Sequence, residues 1–132
     1  MSRNADIIAH IFSETAKGNG EPYVAALADD ATFRTIGSNS WSTTFHGKGA
    51  ILNDLFGRLR TKLKGRNVCA PSRIHDAGEF VIVQANGQNL TRDGQPYEND
   101  YCFVIRMRDG KMVEIEEYCD TELVAAVLGP RA

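Results

Sequence analysis

The chain lacks the long apolar run that a membrane span requires. Its first apolar stretch, from Ile7 to Phe12, is short and broken by His10, well below the ~18 consecutive apolar residues of a spanning helix. A secretory pattern is also missing from Met1-Ser2-Arg3-Asn4-Ala5-Asp6, so the sequence predicts a cytoplasmic protein with no membrane association. Cysteines are few and odd in number: Cys69, Cys102 and Cys119 are widely spaced and form no CxxC pair. They read as reduced, strand-borne residues rather than a disulfide framework or a zinc site. His10, His46 and His75 have no His or Cys at ligand spacing, so no metal is expected. The glycines form neither a phosphate loop nor a GxGxxG turn, and no Ser or Cys stands in a nucleophile elbow, so no organic cofactor is expected.

Charge of one dominant sign is absent too. The net charge is −2 and the isoelectric point about 5.9, which leaves no global field to attract nucleic acid. The basic run Arg58, Arg60, Lys62, Lys64, Arg66 falls at the end of an expected helix, where the macrodipole favours cations. The acidic residues Glu114, Glu116, Glu117, Asp120 and Glu122 balance it.

What is present suits one ordinary globular domain spanning residues 1–132. Ile7, Ile8, Ile11 and Phe12 recur at helical spacing and predict a helix over 3–17, stopped by Gly18-Asn19-Gly20. Pro22 suits the first turn of a second, short helix ending at Asp29-Asp30. Residues 31–36 read as a strand and 37–41 as a loop carrying Trp41, the only tryptophan. Ile51, Leu52, Leu55, Phe56, Leu59 and Leu63 mark the longest helical stripe, over 48–64. Strands follow over 68–74, 79–91, 97–108 and 111–119. Asp109-Gly110 is the strongest hairpin signal, and a short helix over 122–128 closes the chain. Three helices and one early strand followed by an antiparallel run define an α+β class with helices on one face.

Three stretches carry a family likeness: Leu27-Ala28-Asp29-Asp30-Ala31-Thr32-Phe33, Phe45-His46-Gly47-Lys48-Gly49-Ala50-Ile51, and Asp109-Gly110-Lys111-Met112-Val113 running on to Tyr118-Cys119-Asp120. With the element order, they resemble the SnoaL-like branch of the nuclear-transport-factor-2-like superfamily, which includes ketosteroid isomerases, limonene-epoxide hydrolases and polyketide cyclases. The resemblance implies a curved antiparallel or mixed sheet with helices packed on one face, enclosing a cone-shaped pocket. It also locates departures. The isomerases' catalytic Asp falls on Thr35 and their oxyanion Tyr near Ile11, and neither replacement does that chemistry. The hydrolases' water-holding pair falls on Phe33 and Thr35, and their Arg-x-Asp on Gln84-x-Asn86. Their final Asp is retained as Asp120.

Strand alternation places Gln84, Asn86 and Gln88 on one face with Phe80 and Ile82. That face is either the polar wall of a pocket or the solvated end of a strand. Tyr101 and Phe103 share a face which the resemblance points inward, with Tyr101 either a hydrogen-bond donor to a ligand oxygen or a core tyrosine bonded to backbone. Trp41 either closes a pocket mouth, lies on a partner subunit or fills a core gap. For Asp120 two readings compete: a pocket acid with raised pKa, as the resemblance implies, or the N-cap of the last helix, before Thr121-Glu122-Leu123. Asp120 shares its nominal face with Glu114, Glu116 and Tyr118, so the pocket reading needs a bulge or an acidic pocket end.

The expectation is therefore a pocket lined by Phe33, Thr35, Trp41, Leu55, Gln84, Asn86, Tyr101 and Phe103, containing no cation and accepting a small apolar or mildly polar ligand. Asp120 and Tyr101 are the expected catalytic residues of a cofactor-independent isomerase, cyclase or hydrolase; the alternative is a non-catalytic ligand-binding or interaction module. Apolar residues on both faces of the 79–91 strand predict a homodimer.

Overall fold

The structure is a computed structural model that describes residues 2–132. Helix α1, Arg3–Thr15, starts where the Ser2 hydroxyl accepts from the Ala5 amide at 3.2 Å. Its apolar stripe, Ala5, Ile8, Ile11 and Phe12, is fully buried, as the 3.6-residue period requires. Helix α2, Glu21–Ala26, opens with Pro22 in its first turn. The central helix, residues 48–62, widens into a π-helical section over Ile51–Phe56 that turns Ile51 and Leu55 into the core. A terminal helix covers residues 121–128.

The strands are β1 Leu27–Thr35, β2 Thr44–His46, β3 Leu63–Lys64, β4 Cys69–Ala77, β5 Phe80–Gly87, β6 Asn89–Thr91, β7 Pro96–Tyr97, β8 Asp100–Arg108 and β9 Lys111–Cys119. Six of them form one sheet in the order β2-β1-β9-β8-β5-β4, and β3, β6 and β7 form a second, small one. All pairs in the large sheet are antiparallel except β1 with β9, which is parallel. The β8–β9 hairpin closes at Asp109 (φ 52°) and Gly110 (φ 77°). Two successive positive φ values make the tight turn whose twist matches the flanking strands.

Two long expected strands are each divided. Residues 79–91 break after Gly87 and residues 97–108 break before Asp100, and the outer pieces move into the small sheet. Asparagines replace the missing ladder bonds. Asn89 Oδ1 accepts from the Val68 amide at 2.8 Å, and the Asn99 carbonyl accepts from the Gly87 amide at 2.8 Å.

An aromatic chain joins the layers. Tyr101 stacks on Phe103 (5.3 Å between centroids), Phe103 meets Phe12 of α1 (5.6 Å), and Phe12 meets Tyr23 of α2 (6.2 Å). Tyr23 then meets Phe56 of the central helix (5.7 Å), whose ring lies 5.9 Å from Phe33 of β1. These contacts fix the helices against the concave face of the sheet. Among the described residues, no helix is long and apolar enough to cross a membrane.

Candidate active site

The site is organised by the alternation along β9. Met112 and Val113 are both buried because Val113 is a bulge: Glu114 pairs with Arg106, while Met112 pairs with Met107. After the bulge the strand alternates regularly. Ile115, Glu117 and Cys119 face inward; Glu114, Glu116 and Tyr118 face out. Glu117 therefore enters the interior between Thr35 of β1 and Phe103 of β8, its paired neighbours on either side.

Protein surrounds this carboxyl, and its remaining accessible surface opens into a cavity. Burial pushes its pKa from 4.5 up to about 7, and no cation or hydrogen-bond donor among the described residues counters the shift. At neutral pH the group is thus divided between a proton donor and a proton acceptor. Its neighbours are not. Burial, then the nearby Glu117 charge, pushes the Cys69 and Cys119 thiols up to about 12. Burial also raises the Tyr23, Tyr97 and Tyr101 hydroxyls. Among these groups only Glu117 exchanges a proton near neutrality.

Tyr101 and Glu117 are diagonal neighbours on one face, since Tyr101 pairs with Cys119 and Phe103 with Glu117; such positions lie roughly 7–8 Å apart. The Tyr101 hydroxyl donates to that of Tyr97 at 3.4 Å, and Tyr97 accepts from Asn99 Nδ2 at 3.2 Å. The cavity of about 50 Å³ is bounded by Tyr97, Tyr101, Glu117, Trp41, Leu55 and Leu59, and by the terminal helix.

Four of the expected lining residues meet here: Thr35, Trp41, Leu55 and Tyr101. The Thr35 hydroxyl is already engaged, donating to the Trp41 carbonyl and accepting from the Thr43 amide at 3.0 Å. Phe33 and Phe103 are buried core residues just beneath the cavity. Gln84 and Asn86 do share a face, as alternation requires, but it is the convex one. Gln84 Oε1 is bonded to His75 Nε2 (2.9 Å) and Asn86 Nδ2 to Asp100 Oδ1 (3.0 Å). Val81, Val83, Ala85 and Gly87 fill the inward positions instead. Alternation assigns residues to faces but not faces to the core, and here the apolar set went in. Asp120 is exposed and takes the capping geometry, accepting from the Leu123 amide at 3.1 Å. The inward acid is Glu117, three residues earlier. Its signal was its shared parity with Ile115 and Cys119, obscured by the neighbouring surface acids.

This architecture is the nuclear-transport-factor-2-like fold. The chain matches solved proteins of that fold along nearly its whole length. A nuclear-transport-factor-2-like protein from Burkholderia thailandensis E264 superposes with a TM-score of 0.82 at 24% identity, over 98% of this chain and 100% of the other. A protein with a ketosteroid isomerase-like fold from Catenulispora acidiphila, solved in complex with trimethylamine, gives 0.75 at 16% identity, over 95% and 93%. A putative SnoaL-like polyketide cyclase from Jannaschia sp. CCS1 gives 0.76 at 13%, over 96% and 91%. No relative was found among the curated proteins. The SnoaL-like domain profile matches residues 8–115, and the chain belongs to that family.

Proposed function

We propose that this protein catalyses a cofactor-independent proton transfer, an isomerisation or cyclisation, on a compact and largely apolar oxygenated metabolite. Glu117 is the acid/base. The carrying observation is its carboxyl: unpartnered, open to the cavity and poised by burial at about pH 7. A group titrating near working pH serves well both in taking a proton from a carbon beside a carbonyl and in returning it to another atom. Tyr101, kept protonated by burial, gives up its long 3.4 Å bond to Tyr97 and donates to the oxygen on which charge develops. Glu117 thus takes the part expected of Asp120, with Tyr101 in its expected part.

The test is deuterium incorporation at the α-carbons of small ketones such as cyclohexanone in D₂O, followed by proton NMR. The native protein should accelerate exchange with a pH midpoint near 7, and Glu117→Gln should reduce it to the buffer rate. Equal rates for the two proteins would reject the assignment.

The size of the cavity favours a second reading, a non-catalytic binding module. About 50 Å³ is small beside the roughly 300–1,000 Å³ of ordinary ligand pockets. In that case a ligand stabilises the fold, and deuterium exchange is absent in every variant. We also propose a homodimer formed through the convex sheet face. Phe80, Ile82 and Val104 are half-buried there, and Tyr118 is 44% exposed. Covering such a surface commonly takes a two-fold partner.

A further inference from the structure

The cavity over Glu117 has room for only on the order of four water molecules. Any apolar metabolite therefore needs part of the wall to move. One wall differs from the others. Thr121, Val124 and Leu128 of the terminal helix line the cavity, and Val124 and Leu128 are buried against it. This helix meets the core along one side only: Val124 and Leu128 join the core with Leu123 and Val127 packed against it, while Glu122, Ala125 and Ala126 are exposed. Two turns of helix are too short to persist without tertiary support.

The loop after β1 touches both ends, Asn39 Nδ2 donating to the Thr121 carbonyl at 3.0 Å, but the near end has a second, buried anchor. At the near end Asn99, fully buried, binds the backbone of Asp120 twice: Oδ1 accepts from the amide and Nδ2 donates to the carbonyl, both at 3.0 Å. Asn99 Nδ2 also reaches the Tyr97 hydroxyl, so this end is tied to the tyrosines of the cavity. The far end rests on the loop after β1. The Trp41 indole nitrogen donates to the Gly129 carbonyl at 2.8 Å. The Arg131 amide donates to Ser40 Oγ at 2.9 Å, and its side chain to the Ser40 and Asp54 carbonyls at 3.1 and 3.2 Å. Its guanidinium also lies over the Phe45 ring at 5.3 Å. The Arg131 bonds are exposed, and exposed bonds of this kind open locally at low cost compared with global unfolding.

We propose that residues 120–131 form a hinged cover, pinned at Asp120 by Asn99 and latched by Trp41 and Arg131, and that small molecules reach Glu117 by unlatching it. The cover then decides which substrates enter. Its hinge keeps register with Tyr97 and Tyr101, while its far end releases without disturbing the sheet. This rests on reading the Glu117 cavity as the ligand site.

Cys119 supplies a probe for opening, because its side chain lines the cavity beneath the cover. Cys69 packs against the core but does not line the cavity, and it reports on the fold as a whole. The experiment is alkylation by iodoacetamide at pH 8, with the modification of each cysteine followed by peptide mass spectrometry. Arg131→Ala removes an exposed latch. It should accelerate Cys119 modification by about tenfold, the equivalent of one or two net hydrogen bonds, and leave Cys69 unchanged. Joining the far end to the loop with a Ser40→Cys/Arg131→Cys disulfide should slow Cys119 below the native rate. An unchanged Cys119 rate in Arg131→Ala would overturn the proposal. So would equal acceleration at Cys69, which signals global unfolding. Neither result affects the Glu117 exchange assay, so the failure of the cover is distinguishable from that of the catalytic reading.

Discussion

Replacing Glu117 by glutamine keeps the shape of the side chain and removes its charge, which isolates the cost of ionising a carboxyl at this position. Folding raises the Glu117 pKa from 4.5 to about 7. Below pH 4.5 the group is protonated in both states and costs nothing. Between 4.5 and 7 the unfolded chain ionises while the folded one keeps its proton, so stability falls by about 1.4 kcal/mol per pH unit. Above 7 both forms are ionised and the loss levels off at about 3 kcal/mol, on the order of the full shift. Glu117→Gln escapes this loss. The variant should match the native protein near pH 4 and exceed it by about 3 kcal/mol at pH 8.5, a difference of roughly 10 °C in melting temperature for a chain of this size. Taking the difference between the two proteins at each pH cancels the other titrating groups. Thermal melts by circular dichroism across pH 4–8.5 make the measurement. A difference that stays constant with pH would refute the reasoning, because it would mean that Glu117 is not desolvated in the folded state.

The cap at Asp120 gives a second test. Asp120→Ala should lower stability by about 1 kcal/mol in urea unfolding, and Asp120→Ser should cost little. Gly37 has φ 137°, and a Cβ there would meet Ser42 Oγ at 2.6 Å and Thr121 Cγ2 at 2.7 Å. Gly37→Ala should therefore destabilise the protein by at least about 1 kcal/mol and loosen the loop that holds the terminal helix, seen as a red shift of Trp41 fluorescence. Sedimentation equilibrium at micromolar concentration should give about twice the 14.5 kDa chain mass, and Val104→Asp should return the protein to a single chain. In ligand screening by thermal shift, small ketones and alcohols should stabilise more than sugar phosphates, since the cavity offers an acid and no cation. The preference should sharpen as Glu117 ionises above pH 7.

Most elements and their succession were legible in the residues themselves, whereas β2 and the breaks after Gly87 and before Asp100 were not. Asp109-Gly110 admits the two positive φ values of a tight turn, so the β8–β9 hairpin was fixed locally, and the stripe Ile8, Ile11, Phe12 has one amphipathic solution. The same alternation grouped Gln84 with Asn86, and Ile115 with Glu117 and Cys119. Which of two equivalent faces turned inward was set by the assembled fold. On β5 the choice fell to Val81, Val83 and Ala85, because turning the other face inward would bury the Gln84 and Asn86 amides away from the His75 and Asp100 side chains that bond them. It also decided the chemistry. Glu117 is one of several acids near the end of the chain; alternation separates it from Glu116 but does not say how deeply either face is covered. Its pKa depends on what covers it: β1 and β8 at its sides, and aromatic rings and the terminal helix around the cavity. Desolvation is a property of the assembled surroundings, brought together from residues distant along the chain, and no spacing within one strand encodes it.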